Sequence, residues 1–359
     1  MTAPAQPRSL RLAAIVAIVC ASGLLTGFES ARNDRSPLSD AAFSAAPGAP
    51  AVTLPTRVLE AASVYVAYVD RAAAVSPAFP DGDTIAASLR ATEAYEPRQM
   101  QEGMTAYAAV VALQDPNFVA AVRAYGADPT QRAQVAAAVM ADPRYAAEFQ
   151  GADSAAGLIV AALTDQGRRV LETGKRVKQA AYDVQHQKWS TQFVPDRDGR
   201  LALAKSLSDQ PLPPPPEGES RMQMASTGAM PLMVNGSVNP GPYSPMVERA
   251  LAVAAMAALG DGSNDFSDQL IALLDEPEEN DCLHSAKLNL YQCLAVAKPH
   301  YEDVFCMGQH ILMDTGQCIL KGVAPHAAAA AVLLPAADTT PAPGKKKPVS
   351  RTKKHKAKS

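Results

Sequence analysis

Residues 282–318 read CLHSAKLNLYQCLAVAKPHYEDVFCMGQHILMDTGQC and hold four of the five cysteines of the chain. Helical spacing of apolar residues predicts one helix from Cys282 to Lys298 and another from His300 to about Thr315, with Lys298-Pro299-His300 as the turn. Cys282 and Cys293 are eleven residues apart, three helical turns, and so face the same way. They stand about 16 Å apart along the axis, too far to pair with each other. A continuous second helix separates Cys306 from Cys318 by the same argument. Pairs across the hairpin remain. The midpoint of 293 and 306 is 299.5 and that of 282 and 318 is 300, both on the turn. The alternative pairs, 282 with 306 and 293 with 318, have midpoints of 294 and 305.5, which suit no single hairpin. The spacing predicts disulfides Cys282–Cys318 and Cys293–Cys306. One misfit accompanies it: on an ideal helix Cys306 and Cys318 point about 120° apart, which a bend at Gly316 would relieve.

The nested spacing resembles the twin-cysteine helical hairpins of small mitochondrial intermembrane-space proteins, as shared geometry and not as kinship. The intervals here are ten and eleven residues, where that group has nine or three. Neither the paired C-x₂₋₄-C of a zinc site nor a redox Cys-x-x-Cys is present, so no metal and no cofactor is expected. Disulfides persist in oxidising compartments, and the N-terminus agrees. Arg8 and Arg11 precede the apolar run Leu12 to Phe28, the pattern of an export signal. Cleavage motifs there are weak, which leaves an uncleaved anchor in the inner membrane as the alternative; Cys20 lies inside this run.

Aromatic residues are 5% of the 359, and much of the 48% apolar content is alanine, a helix former and a poor strand former. No long segment alternates with period two, so the fold class is all-α: a multi-helix N-terminal domain plus a small disulfide-stapled helical C-terminal domain. The divisions are 1–30, a signal peptide or anchor; 31–54, a disordered linker; 55–208, a helical domain; 209–245, a Pro/Met-rich linker; 246–322, a helical domain with the cysteine hairpin; and 323–359, a disordered Ala/Pro-rich and Lys-rich tail. In the first domain, Val58, Leu59, Ala62, Val66 and Val69 share one face of a helix that stops before Pro77 and Pro80. Asp115-Pro116, Asp128-Pro129 and Asp142-Pro143 each read as a helix start, with Asp as cap and Pro at the first helical position. A longer helix, Ser154 to Trp189, capped by Asp153 or Ser154, repeats Leu163, Val170, Val177 and Val184 every seven residues, a seam for a partner helix. Gly157, Gly167 and Gly174 either weaken it or permit a close neighbour. A short helix is expected at 200–207, and two more in MVERALAVAAMAALG and FSDQLIALLDE.

Net charge is −3, but the last fifteen residues carry +8, which leaves −11 on the remainder. That tail, with Lys345, Lys346, Lys347, Arg351, Lys353, Lys354, Lys356 and Lys358, is a candidate anion-binding segment. In an exported protein it would meet anionic envelope polymers or a membrane surface; in the cytoplasm it would meet nucleic acid. A protein partner is also compatible with the helical surfaces. The basic stripe RRVLETGKRVK, 168–178, reads as a solvated helix face. The triplet Asp314-Thr315-Gly316 fits a helix end better than a protease site, and Asp196-Arg197-Asp198-Gly199 fits a turn with a cap better than a calcium loop. His310 and Asp314, four apart, and His284, His300, Glu302 and Asp303 are the polar residues of the hairpin able to do acid–base work. The leading reading is a non-enzymatic binding or structural protein of the bacterial cell envelope, periplasmic or secreted. An envelope hydrolase using the hairpin's His and Asp residues is the alternative, and a nucleic-acid-associated protein the third.

Overall fold

A computed structural model of the chain describes residues 52–325; the signal segment, most of the first linker and the basic tail lie outside the described residues. Among the described residues the protein is all helical, with no strand and one isolated bridge, Phe193 to Pro299. The first helix, α1 (Thr56–Ala73), buries Val58, Leu59, Ala62 and Val69 as their spacing predicts, and buries Tyr65 and Tyr68 with them. Tyr68 packs on Tyr95 at 4.7 Å between ring centres and donates to the carbonyl of Thr92. The next helices are α2 (Gly82–Glu93) and α3 (Pro97–Ala112). Then come α4 (Pro116–Gly126) and α5 (Pro129–Ala141), each opened by its Asp-Pro pair. Asp115 accepts from the N–H groups of Asn117 and Phe118, and Asp128 from those of Thr130 and Gln131. Asp142 caps in the same way, but the segment it starts, Pro143–Glu148, is a 3-10 turn and not the α-helix predicted. Six residues are too few to repay α-helix nucleation, and Tyr145 is held against Phe149 in an aromatic cluster.

The long helix α6 spans Ala152–Val184 and starts two residues earlier than predicted. Gly151, in the left-handed region at φ 83°, turns the chain into it, and neither Asp153 nor Ser154 caps it. Ser154 instead donates to the carboxylate of Asp115, tying α6 to the start of α4. After α7 (Arg197–Ser208), the Pro/Met-rich segment carries a helix of its own, α8 (Gly218–Ser226), which buries Met222 and packs on α1. Helix α9 (Pro245–Leu259) is buried on every side from Ala250 to Leu259, because its alanines let α3, α4 and α10 (Ser267–Leu274) approach closely. One hydrophobic core runs through helices on both sides of residues 209–245.

The cysteine hairpin begins at α11 (Pro277–Val296), five residues before the predicted start, because Glu276 caps it ahead of Pro277. It returns through α12 (His300–Cys306), a π-helical stretch Met307–Met313, and α13 (Asp314–Gly322), continuous in direction and longer than predicted. Disulfides join Cys282 to Cys318 and Cys293 to Cys306, with Cα atoms 5.8 and 5.7 Å apart. The π stretch removes the misfit. Each π residue turns the chain roughly 18° less than an α residue. Seven of them take up about 126° and bring Cys318 back to the side of Cys306.

This returning helix crosses α6 at four glycines. A Cβ on Gly308 would lie 2.8 Å from the Cα of Lys178, and one on Gly174 2.7 Å from the backbone N of Met313. Gly167 and Gly316 are opposed in the same way one crossing further on. The seam residues Leu163, Val170, Val177 and Val184 are buried inside the protein. Replacing Gly308 by Ala should destabilise the protein by about 2 kcal/mol in urea unfolding, although Ala is the better helix former by about 1 kcal/mol, because the opposing atoms are backbone and cannot move aside.

Candidate functional site

Helix α7 lies antiparallel alongside the second half of α11, with Arg197 and Arg200 at the last residues of α11 and Lys205 over the Tyr291 ring. Arg197 donates to the carbonyls of Ala297 and Ala295, and Arg200 to that of Leu294, so two arginines satisfy the last carbonyls of α11. Next to them the backbone of 190–194 is stitched to the hairpin turn: Val194 N–H to the Lys298 carbonyl, His300 N–H to Gln192, and Tyr301 N–H to Ser190. These bonds leave a cleft of about 400 Å³ between α2, the 194–196 connection, α7 and the start of α12. Ala86, Leu89, Val194 and Leu203 give it apolar walls. The imidazole of His300 sits against Gly82 at the rim, and Asp83, Arg90 and Asp196 are exposed around it.

The charged groups deeper in the cleft are buried. Asp303 is 3% exposed and pairs with Arg200; burial pushes its carboxyl up, and Arg200 pulls it back. Glu93, the last residue of α2, is 2% exposed, and its Oε2 has no hydrogen-bond partner. Burial raises its pKa from 4.5 to about 7 against the pull of Lys287 and Arg90. Lys287 is 1% exposed, donates to the Glu93 carbonyl, and lies 3.6 Å from the ring centre of Tyr95. Burial lowers its pKa from 10.5 to about 7. The hydroxyl of Tyr95 is bonded to that of Thr315, 2.9 Å away. Near neutral pH the Glu93 carboxyl, which lines this cleft, can therefore give or accept a proton, while its unpartnered Oε2 is itself shielded from solvent.

Of the hairpin residues singled out in the sequence, His300 and Asp303 line this cleft. His310 does not: it bonds Asp314 at 3.1 Å, and Asn289 and Gln309 also donate to Asp314. His284 is exposed, and Glu302 accepts from the Lys298 N–H. Thr315 is buried and Gly316 faces α6, so Asp314-Thr315-Gly316 is part of a helix. Asp196 caps α7 through the Gly199 N–H. In the stripe 168–178, Arg169 pairs with Asp70 and Asp165, Lys175 with Glu172, Arg176 with Thr173 and Lys178 with Gln309. The lysines and the arginine of the tail lie outside the described residues. Sequence reasoning missed Glu93, Arg200 and Lys287. A signal for Lys287 existed, since it falls on the stripe of Leu283, Ala286, Leu290 and Leu294, where an apolar residue belongs.

Among the described residues no helix is long and apolar enough to cross a membrane. Fold and site together define an all-α protein, stapled by two disulfides, with a charged cleft beside the staple. Compared with known proteins, the chain matches no family model, no curated protein and no solved structure.

The Glu93 carboxyl makes a pH-dependent contribution to stability. Its folded pKa, about 7, lies above the ordinary 4.5, so the folded state holds the proton more tightly. The stabilisation is present below about pH 4.5 and is lost as pH rises through about 7. Urea unfolding at pH 5 and pH 8 should show the wild type losing on the order of 2 kcal/mol relative to Glu93→Gln between the two values.

Proposed function

We infer that the protein works in an oxidising, non-cytoplasmic setting, as its two disulfides suggest. We propose that the protein is exported to the bacterial cell envelope, periplasmic or secreted, and acts there by binding a small ligand in the cleft between α2, α7 and α12. The observation that carries this reading is the Glu93 carboxyl, buried at the cleft with one oxygen unpartnered. A buried acceptor without a partner costs about 1–3 kcal/mol, which a ligand's donor would recover. In this reading the basic tail, Lys345 to Lys358, holds the protein near anionic envelope polymers or lipid head groups.

One observation favours a second reading, an envelope hydrolase. A carboxylic acid with a pKa of about 7 is suited to general acid–base work at neutral pH. Asp303, held by Arg200, and His300 stand in the same cleft.

Two measurements test the proposal. Intact mass of the exported protein, before and after reduction with alkylation, should show loss of the N-terminal segment and four thiols that react only after reduction. Thermal shift against amino acids, polyamines, sugars and peptidoglycan fragments should give a rise of several degrees for one class. That rise should vanish in Ala86→Trp, which fills the cleft. Should Glu93→Gln keep the binding but lose turnover of the bound compound, the hydrolase reading replaces the binding one. A flat response to every compound, in a protein whose unfolding is otherwise cooperative, would remove the cleft from both.

A further inference from the structure

Another buried acid lies at the end of α11 away from the cleft and plays no part in it. Glu279 is 2% exposed, and its Oε1 has no hydrogen-bond partner. A carboxylate oxygen of Glu279 and the sulfurs of Cys282 and Cys318 all lie within 4.8 Å of one another. The sulfurs are bonded to each other, so their capacity as metal ligands is already used. Cys282 is half-buried and Cys318 buried. The second bridge has the same asymmetry, with Cys293 half-buried and Cys306 buried. Among the described residues, no cluster of three such groups includes Cys293 or Cys306.

Breaking a disulfide sends an electron pair to the departing sulfur. A buried sulfur leaving as a thiolate is disfavoured, since there is little solvent to stabilise the charge. A proton donor beside it removes that obstacle. Burial pushes the Glu279 carboxyl well above its ordinary 4.5 and so favours its protonated form, and the adjacent Glu276 adds to this; Lys321 on α13 opposes it. On the remaining sides stand the Tyr65 phenol of α1 and the apolar Met104 of α3.

We propose that Cys282–Cys318 is a thiol-exchange site in which Glu279 relays the proton, its co-reactant being a dithiol protein of the same compartment. A thiolate of the dithiol attacks Cys282 Sγ and forms a mixed disulfide. The Cys282–Cys318 bond breaks, and Cys318 Sγ takes the bond's electron pair and the Glu279 proton. The second thiol of the co-reactant, deprotonated by water, attacks the mixed disulfide. Cys282 leaves as a thiolate and is protonated by water. The protein disulfide gains two electrons and the dithiol becomes a disulfide. In reverse, the Glu279 carboxylate takes the proton of Cys318 and the bridge is remade. Cys293–Cys306 stays closed throughout and holds the hairpin.

The test uses the full oxidised chain and dithiothreitol as the dithiol. Timed samples are quenched with N-ethylmaleimide, and peptide mass spectrometry reads the opening of each bridge. Cys282–Cys318 should open at least tenfold faster than Cys293–Cys306, a modest share of what a positioned proton donor supplies. Glu279→Gln should slow the first bridge at least tenfold and leave the second within twofold. Equal rates in the wild type, or equal slowing of both bridges in the variant, would overturn the proposal. If Glu279→Gln does not fold, a pH series on the wild type decides. The rate per dithiothreitol thiolate should fall with rising pH at Cys282–Cys318 alone, and the same profile at both bridges would overturn the proposal.

Discussion

The contact on which the rest depends is the backbone-to-backbone crossing of α6 with the helix that runs from His300 to Gly322. Gly174 and Gly308 are opposed there, and Gly167 and Gly316 a little further along. At such a spacing, helices gain dispersion energy from main-chain atoms in place of side chains. The crossing also fixes which part of the returning helix lies against α6: the π-helical stretch, with α13 continuing along it. Unwinding there sets the angular position of Cys318 and hence lets both bridges close on one face of α11. It also fixes the N-terminal end of α12, from which His300 and Asp303 enter the cleft. Crossing, staple and cleft are three consequences of one packing arrangement. The bridges, closing separations of 36 and 13 residues, add about 3–4 kcal/mol each in the chain-entropy account.

Much of this was legible in the chain, and the reasons are local. An acid followed by proline is a complete helix start in two residues: one supplies the acceptor, the other the fixed φ. The three Asp-Pro pairs were readable on that ground. Glu96-Pro97 and Glu276-Pro277 perform the same task, with Glu96 accepting from Arg98 and Gln99 and Glu276 from Glu278 and Glu279. Both are harder to read in the sequence because glutamate is a less usual cap than aspartate. Cysteine connectivity was readable because a hairpin has only one centre. The glycines of α6 were ambiguous between weakness and close approach, and only the partner helix decides that. No local signal announced the π stretch; it follows from what 307–313 meets across space.

The cleft was legible only in half. His300 and Asp303 stood out through their position in the hairpin, whereas Glu93 lies more than 200 residues away in sequence. Its partner Lys287 is a charged residue on an apolar helix stripe, a local inconsistency of the kind that marks a functional or strained site. Burial of Glu93 and Lys287 is not needed to hold the fold. Replacing buried charges by apolar groups of similar volume is often neutral or stabilising, and the Tyr95–Thr315 hydroxyl pair ties the connection before α3 to α13 without them.

Glu93 and Glu279, the buried glutamates that each keep an unpartnered oxygen among the described residues, have opposite surroundings. Glu93 faces a cleft with Arg90, Arg200 and Lys287 nearby, and its carboxyl sits close to neutrality. Glu279 is packed between Tyr65, Met104, Gly322 and a disulfide, with Glu276 beside it, and burial pushes its carboxyl well above the ordinary 4.5. Each acid thus stands next to a group that chemistry could use, the first beside an open volume and the second beside a sulfur–sulfur bond. Helix α11 connects them, since Lys287 and Glu279 both project from it. Opening the Cys282–Cys318 bridge would free the N-terminal turn of α11, while Cys293–Cys306 keeps the end next to the cleft closed. The order of the two bridges along the hairpin therefore matters: the outer one can exchange without disturbing the cleft because the inner one lies between them.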